Sequence, residues 1–233
     1  MKLSIIIPCY NEKKTIKDLI NKVCNLDIDK QIILIDDNSN DGTKEIINKI
    51  KDKVDKIIFH EKNLGKGAGI ISAKKIVNGD FVVIQDADLE YDPDDLLIMF
   101  KHIMKNNYDV LYGSRVLRKK RYNNDDFTSN FRIFANHILT IFSNIINTQN
   151  LTDAHTCYKM FSKKVFNAIE LQECDFAFCP EITTKISNLG IPIYEIPINY
   201  KGRTYKDGKK ISFKDGFKAI YTIIKYSKKI KNK

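Results

Sequence analysis

Asp86, Asp88 and Glu90 stand at alternate positions directly after an apolar run, Phe81 to Ile84, in the stretch GDFVVIQDADLE at residues 79–90. Three carboxylates within five residues at the end of a buried strand repel one another, so the pattern calls for a cation among them. A divalent ion with oxygen ligands suits it: Mg²⁺ is usually held by one or two carboxylates, leaving positions for water and substrate phosphates. The competing reading is a solvated acidic turn that starts the next helix, with Asp92-Pro93-Asp94-Asp95 as cap and first turn.

Other polar clusters follow the same rule of position. Asp36-Asp37-Asn38-Ser39-Asn40-Asp41-Gly42-Thr43 follows an apolar strand, Gln31 to Ile35. Asp41 reads as a helix cap, whereas an acid at the end of a second parallel strand is placed to accept hydrogen bonds from a ribose or a base, which assigns ligand binding to Asp37. Asn63-Leu64-Gly65-Lys66-Gly67-Ala68-Gly69 is neither a P-loop nor a GxGxxG fingerprint. Glycines at a helix start nevertheless leave backbone N–H groups open to an anion, and Lys66 adds charge; a plain capping turn explains the same residues. Arg115, after the strand Tyr108 to Tyr112, suits phosphate through its bidentate fork.

The elements that hold these motifs alternate. Leu3 to Ile7 predicts a buried strand stopped by Pro8, and Ile16, Leu19, Ile20 and Val23 predict a helix over about 14–24. Strands at 31–35, 57–60, 81–84 and 108–112 alternate with helices, the signature of a doubly wound, mostly parallel α/β sheet that binds ligands outside the carboxyl ends of its strands. Residues 116–130 lack periodicity and read as a basic loop. The helix over 131–146 carries apolar residues on more than one face, so it is either buried or lies on something apolar. Thr152 to Phe161 returns to the sheet, Ile193 to Tyr200 alternates like an edge strand, and Phe213, Phe217, Ile220, Tyr221 and Ile224 define one face of a C-terminal helix.

Composition narrows the function classes. The 233 residues, 43% hydrophobic, suit one domain with an appendage. Five cysteines form no CxxC pair and four histidines are scattered, which indicates neither a zinc site nor a disulfide framework and fits a reducing, cytoplasmic setting. No signal peptide or membrane span is expected, since no stretch approaches the roughly 18 apolar residues a span requires. The net charge of +10 comes mainly from Arg115 to Arg121 and Lys201 to Lys233. Without stacking aromatics of the RNA-binding kind, it argues for anionic membrane or phosphorylated substrates rather than nucleic acid.

Together, Pro8-Cys9-Tyr10-Asn11-Glu12, Ile35 to Thr43, Asn63 to Gly67, Asp86 to Glu90 and Tyr112 to Arg115 resemble the inverting family 2 glycosyltransferases, and within them the dolichol- or polyprenyl-phosphate mannosyl- and glucosyltransferases. The resemblance covers nearly the whole chain. It implies a GT-A fold over 1–205 with a basic amphipathic helix over 206–233, a nucleotide-sugar donor, and Mg²⁺ or Mn²⁺ on Asp88 and Glu90. It further implies a donor site formed by Pro8, Tyr10, Asn11, Glu12, Ile35, Asp37, Lys66, Asp86, Ala87, Asp88, Arg203 and Lys209. The catalytic set would be Asp88, Arg115 and Arg132, the arginines holding the acceptor phosphate. Two departures stand out: the branch usually has glutamine at Glu90, and the segment Asp153-Ala154-His155-Thr156-Cys157-Tyr158 lacks the glycine many relatives carry, so His155 is read as structural.

An acceptor lipid phosphate is already ionised near neutral pH and needs cations rather than a general base. The two apolar helices would then lie in the membrane interface, on the cytoplasmic face, as a peripheral association or through a membrane partner. Core packing or a homodimer face is the alternative use for them. Two other functions stay open: a soluble transferase acting on a saccharide hydroxyl, and a non-catalytic nucleotide-sugar binding module.

Overall fold

The computed structural model describes residues 1–117, 127–203 and 213–231, apart from the side chains of residues 127–132, 213, 229 and 231. Seven strands are described: β1 (Leu3–Cys9), β2 (Lys30–Asp36), β3 (Lys56–Phe59), β4 (Phe81–Ile84), β5 (Val110–Ser114), β6 (Lys159–Ser162) and β7 (Tyr194–Pro197). They form one sheet in the order β3-β2-β1-β4-β6-β5-β7. The helices are α1 (Ile16–Cys24), α2 (Thr43–Lys49), α3 (Lys66–Lys74), α4 (Asp94–Lys105), α5 (Phe127–Asn147), α6 (Lys163–Ala168), α7 (Phe178–Asn188), α8 (Phe213–Tyr226) and α9 (Lys228–Lys231).

Both sheet faces are covered, which is why the strands read as unbroken apolar runs rather than alternating ones. Successive side chains of a strand point to opposite faces: Ile5, Ile7, Leu34 and Val83 join one core cluster with α1 and α4. Ile6, Ile33, Ile35, Val82 and Ile84 join the other with α3, α6 and α7. Registers Ile5↔Ile32 and Ile5↔Val83 align β2, β1 and β4 so that their carboxyl ends finish together.

The mostly parallel sheet is as expected, with one strand reversed. β6 lies between β4 and β5 and is antiparallel to both, with Phe81↔Ser162 and Val110↔Phe161. The reversal follows from where the chain returns. Tyr158 O accepts the Gly113 N–H at 2.8 Å, near the carboxyl end of β5, so β6 starts at the functional end of the sheet and runs away from it. Strand 108–112 shifts to Val110–Ser114, and the edge strand at 193–200 shortens to Tyr194–Pro197, with the Ile198 N–H still donating to Ser114 O at 3.1 Å. The C-terminal helix is interrupted at Ser227.

The face assigned to α8 from its apolar periodicity points outward. Ala219, Thr222 and Ile223 are buried against α5 and α7, while Phe217 is 78% exposed and Tyr221 and Ile224 are exposed. In α5, Thr140, Ser143 and Asn147 face inward, and Phe134, Ile138, Ile141 and Ile145 lie exposed along one stripe, Ile145 at 65%. Small and polar residues let these helices pack closely, and the large apolar ones face out. No helix among the described residues is long and apolar enough to cross a membrane.

Candidate active site

Four strand-to-helix turns meet at the carboxyl ends of β1 to β4, and side-chain hydrogen bonds tie them together. Asn11, in the left-handed region at φ 53°, donates its N–H to Ser39 Oγ at 2.9 Å and accepts Asn40 N–H at 2.9 Å, joining the first two turns. Asp41 caps α2 as expected, accepting the Thr43 N–H at 3.0 Å. Its neighbour Asp36 is 1% exposed, and its Oδ1 has no hydrogen-bond partner among the described residues.

Asp37 is held on three sides. Its Oδ1 lies 2.7 Å from His60 Nδ1 and accepts the Leu64 N–H at 2.9 Å, while Oδ2 accepts the Gly65 N–H at 2.8 Å. The glycine loop therefore uses at least three of its N–H groups inside the protein, the third being Ala68 N–H to Cys174 O at 2.8 Å. An internal carboxylate stands where the sequence suggested an external anion. The glycines are required for another reason: Gly65 has φ 96°, and a Cβ there would lie 2.6 Å from Cys174 O, while one on Gly67 would collide with Glu173 O. Lys66 pairs with Asp86, lies 3.1 Å from Cys157 Sγ, and is buried. Burial alone would lower its pKa, but Asp86 and the thiol together hold it above the usual lysine value.

The acidic triad splits. Asp86 turns to Lys66, and Asp88 Oδ2 meets Arg203 Nη2 at 3.0 Å. Glu90 is buried and accepts Tyr200 O–H at 2.7 Å and the Arg203 N–H at 2.6 Å. Arg203 also forms a two-pronged pair with Glu12, at 3.0 and 2.8 Å, and its buried Nε has no partner among the described residues. Burial, then Asp86 and Glu90, push the Asp88 carboxyl up to about 6, with its hydrogen bond from Glu90 N–H and Arg203 opposing. Burial is the largest of these causes, and the neighbouring negative charges add to it.

Across the crevice, Arg115 grips Asp153 through Nε–Oδ2 at 2.7 Å and Nη2–Oδ1 at 2.8 Å, and its guanidinium lies 5.1 Å from the Tyr200 ring centre. Burial alone would raise the Asp153 pKa, yet Arg115 holds it below the usual value. Tyr91 stacks against Tyr158 at 4.7 Å and Tyr200 at 5.0 Å, forming a wall between the acidic turn and the arginine. Lys159 is buried and donates to Ala154 O at 2.8 Å, with burial lowering its pKa. His155 Nε2 is buried without a partner among the described residues; burial, Lys159 and Arg115 lower its pKa to about 4, against the opposing pull of Asp153.

Of the residues expected at the donor site, Glu12, Asp88 and Arg203 are in direct contact, and Lys66 touches Asp86. Pro8 lies within β1, which runs on to Cys9 rather than stopping at the proline, and Tyr10 and Asn11 lie on the turn after it; all three are half-buried. Ile35 is fully buried in the sheet, and the Ala87 carbonyl accepts Thr15 O–H at 2.8 Å. Arg132 falls on α5 with its side chain outside the described residues, and Lys209 and the basic run 118–121 lie outside them altogether. Asp36 lay within the acidic turn 36–43, Asp153 at the head of the returning segment and Tyr200 at the end of the edge strand, none with a ligand role of its own, and His60 and Tyr91 had no motif to announce them.

Among the described residues, no three or more His, Cys, Asp or Glu side chains form a complete metal cage. The donor set still fits a divalent ion: Asp88 and Glu90 offer oxygens within a locally over-negative turn, and Mg²⁺ or Mn²⁺ takes its other ligands from phosphates and water. A cavity of about 290 Å³ opens beside this turn, lined in part by Leu89, Glu90, Tyr91 and Tyr200. A larger one, about 550 Å³, lies between the ends of α5, α7 and α8 and shares none of these residues.

Known proteins place this geometry. The chain is 26% identical to a UDP-N-acetylglucosamine–dolichyl-phosphate N-acetylglucosaminyltransferase of Methanococcus voltae, over 94% of each chain. It is 27% identical to a dolichol-phosphate mannosyltransferase of Pyrococcus furiosus, covering 99% of this chain but 66% of that one. Glucosyl-3-phosphoglycerate synthase of Mycobacterium tuberculosis, solved with Mn²⁺, UDP and glucosyl-3-phosphoglycerate, shares the fold at TM-score 0.72 and 14% identity, over 97% of this chain and 80% of that one. Residues 4–170 match the family described as glycosyl transferase family 2, and the chain belongs to that family of glycosyltransferases.

Proposed function

We propose that the protein transfers a hexose, mannose or glucose foremost, from a GDP- or UDP-sugar to a polyprenyl phosphate, inverting the anomeric centre. The observation that carries this reading is Arg203 bridging Glu12 and Asp88 across the crevice, opposite Arg115. Two relatives, whose names state a dolichyl-phosphate acceptor, support it. They differ in sugar, so the N-acetylated donor belongs in the same test.

Asp88 and Glu90 would hold Mg²⁺ or Mn²⁺, which when bound neutralises charge on the leaving diphosphate. The Nε N–H of Arg203, without a partner among the described residues, is left for a diphosphate oxygen, and its pairs with Glu12 and Asp88 fix the side chain before the donor arrives. Asp86 turns Lys66 toward the nucleoside side of the crevice. Arg115, aimed by Asp153, holds the acceptor phosphate with Arg132, and the phosphate oxygen attacks from the face opposite the leaving group. That oxygen is already unprotonated near neutral pH, so the step calls for no general base. The outward apolar stripes of α5 and α8 would rest in the membrane interface, where such an acceptor resides, making the protein peripheral.

The test is incubation with UDP- and GDP-linked glucose, mannose and N-acetylglucosamine, Mn²⁺ or Mg²⁺, and a short polyprenyl phosphate. Labelled sugar is expected in the organic phase for one donor. Label appearing only on a soluble saccharide acceptor overturns the lipid reading, and binding without any turnover overturns the enzymatic one.

A further inference from the structure

His60 immediately follows β3, and its ring spans two elements. Nδ1 lies 2.7 Å from Asp37 Oδ1, and Nε2 lies 3.0 Å from Ser72 Oγ on α3. Its backbone N–H is fixed as well, donating to Asp36 O at 2.9 Å. Both the His60 and Asp37 side chains are 7% exposed, so the pair is nearly dry yet not sealed. Nδ1 pairs with the Asp37 carboxyl and Nε2 exchanges a hydrogen bond with the Ser72 hydroxyl, which can either donate or accept. The ring plane is thereby set by Ser72 as much as by Asp37.

A carboxylate offers about four lone-pair positions. His60 and the Leu64 N–H occupy those of Oδ1, and the Gly65 N–H takes one on Oδ2. Among the described residues one position on Oδ2 is left, at the end of the second parallel strand, where an acidic side chain accepts a ribose hydroxyl in folds of this architecture. The preceding residue, Asp36, likewise has a buried Oδ1 with no partner among the described residues. A carboxylate clamped in a single plane with an acceptor position to spare suits a donor-bearing ligand.

We propose that His60 and Ser72 are positioning residues for nucleoside recognition: the Ser72–His60 pair locks the Asp37 carboxylate so that Oδ2 accepts a hydrogen bond from the base or ribose of the donor nucleotide. This inference rests on the nucleotide-sugar reading above and adds the parts that fix its nucleoside end. It separates the nucleoside side from the metal side, which Asp88, Glu90 and Arg203 form without His60.

The experiment compares calorimetric binding of UDP, GDP and inorganic pyrophosphate, each with Mn²⁺, to the parent, His60→Ala, His60→Asn and Ser72→Ala. Pyrophosphate reports the metal side alone. For whichever nucleotide the parent prefers, His60→Ala is expected to weaken binding about tenfold or more, the scale of one hydrogen bond to a charged group, with pyrophosphate unchanged. His60→Asn, which restores a donor near Nδ1, recovers part of the loss, and Ser72→Ala gives a smaller loss of about two- to fivefold. Equal losses for nucleotide and pyrophosphate, or no loss for either, overturn the proposal while leaving the transferase reading intact. A parent that binds pyrophosphate but no nucleoside diphosphate overturns both. If His60→Ala fails to fold, the Ser72→Ala and His60→Asn titrations decide by the same nucleotide-to-pyrophosphate split.

Discussion

Asp88 concentrates the electrostatics of the crevice in one titratable group. Burial and its acidic neighbours raise its pKa to about 6, so at the proposed metal site the proton and a divalent ion would compete for the same oxygens. Mn²⁺ affinity is therefore expected to fall as pH drops through about 6 and to level off above it, measured by calorimetry from pH 5 to 8. The metal-free protein carries the linked sign. A carboxyl raised in the folded state is better tolerated protonated, so stability falls as pH rises from the unfolded carboxylate range to about 6. Asp88→Asn should flatten that slope in urea melts and reduce turnover by about 10²-fold or more. Unaltered turnover in the variant would remove Asp88 from the catalytic set. Arg115 makes a narrower case: Arg115→Lys keeps the charge but loses the fork on Asp153, so KM for the acceptor phosphate should rise about tenfold while donor affinity holds.

At the level of elements, the glycine loop before α3 is defined by what touches it. Gly67→Ala is expected to destabilise the fold by about 1–3 kcal/mol in chemical denaturation, because the Glu173 carbonyl occupies the space of the new methyl. An unchanged midpoint would mean that the 173–175 backbone yields freely. The same loop marks the limit of what sequence could reveal. Its position after a strand was legible, and so were β1 to β4, whose apolar runs are long enough to be unambiguous. Its partners were not: Asp37 and Cys174 lie 28 and 109 positions from Gly65, and no local period encodes such pairings. The reversed β6 was hidden for a like reason, since a four-residue strand, KMFS, carries no direction. In α8 the apolar period was legible and left two uses open, the membrane interface or core packing; the outward placement of Phe217, Tyr221 and Ile224 removes core packing for that face, and Ala219 and Ile223 on the other are the buried residues where α8 meets α5 and α7.

Over the whole molecule, polarity is arranged by region. The crevice is acidic at the turn carrying Asp86, Asp88 and Glu90 and cationic at Arg115, and the outward stripes of α5 and α8 are apolar on a chain of net charge +10. Phe217→Ser with Tyr221→Ser should reduce co-sedimentation with anionic vesicles at least about tenfold, while Mn²⁺–nucleotide binding stays as in the parent. Undiminished sedimentation would give the stripes another partner. α8 is itself bound inward, Lys225 Nζ to Glu173 Oε1 at 2.7 Å and Lys218 to Asp175, so the apolar helix grips the segment that covers the glycine loop.

That cover has a consequence for how the protein is made. The proposed nucleoside side is encoded in the first half of the chain, but Gly65, Gly67 and the Ala68 N–H are covered by the backbone of Glu173 to Asp175. A nascent chain leaving the ribosome therefore carries an open, glycine-rich edge until about a hundred further residues have emerged. Release before Glu173 should leave the first four strands formed and the nucleotide loop unset, a species for chaperones or proteases to intercept. Ribosome-arrested chains ending just before and well after Asp175 are expected to differ in protease resistance at residues 63–69.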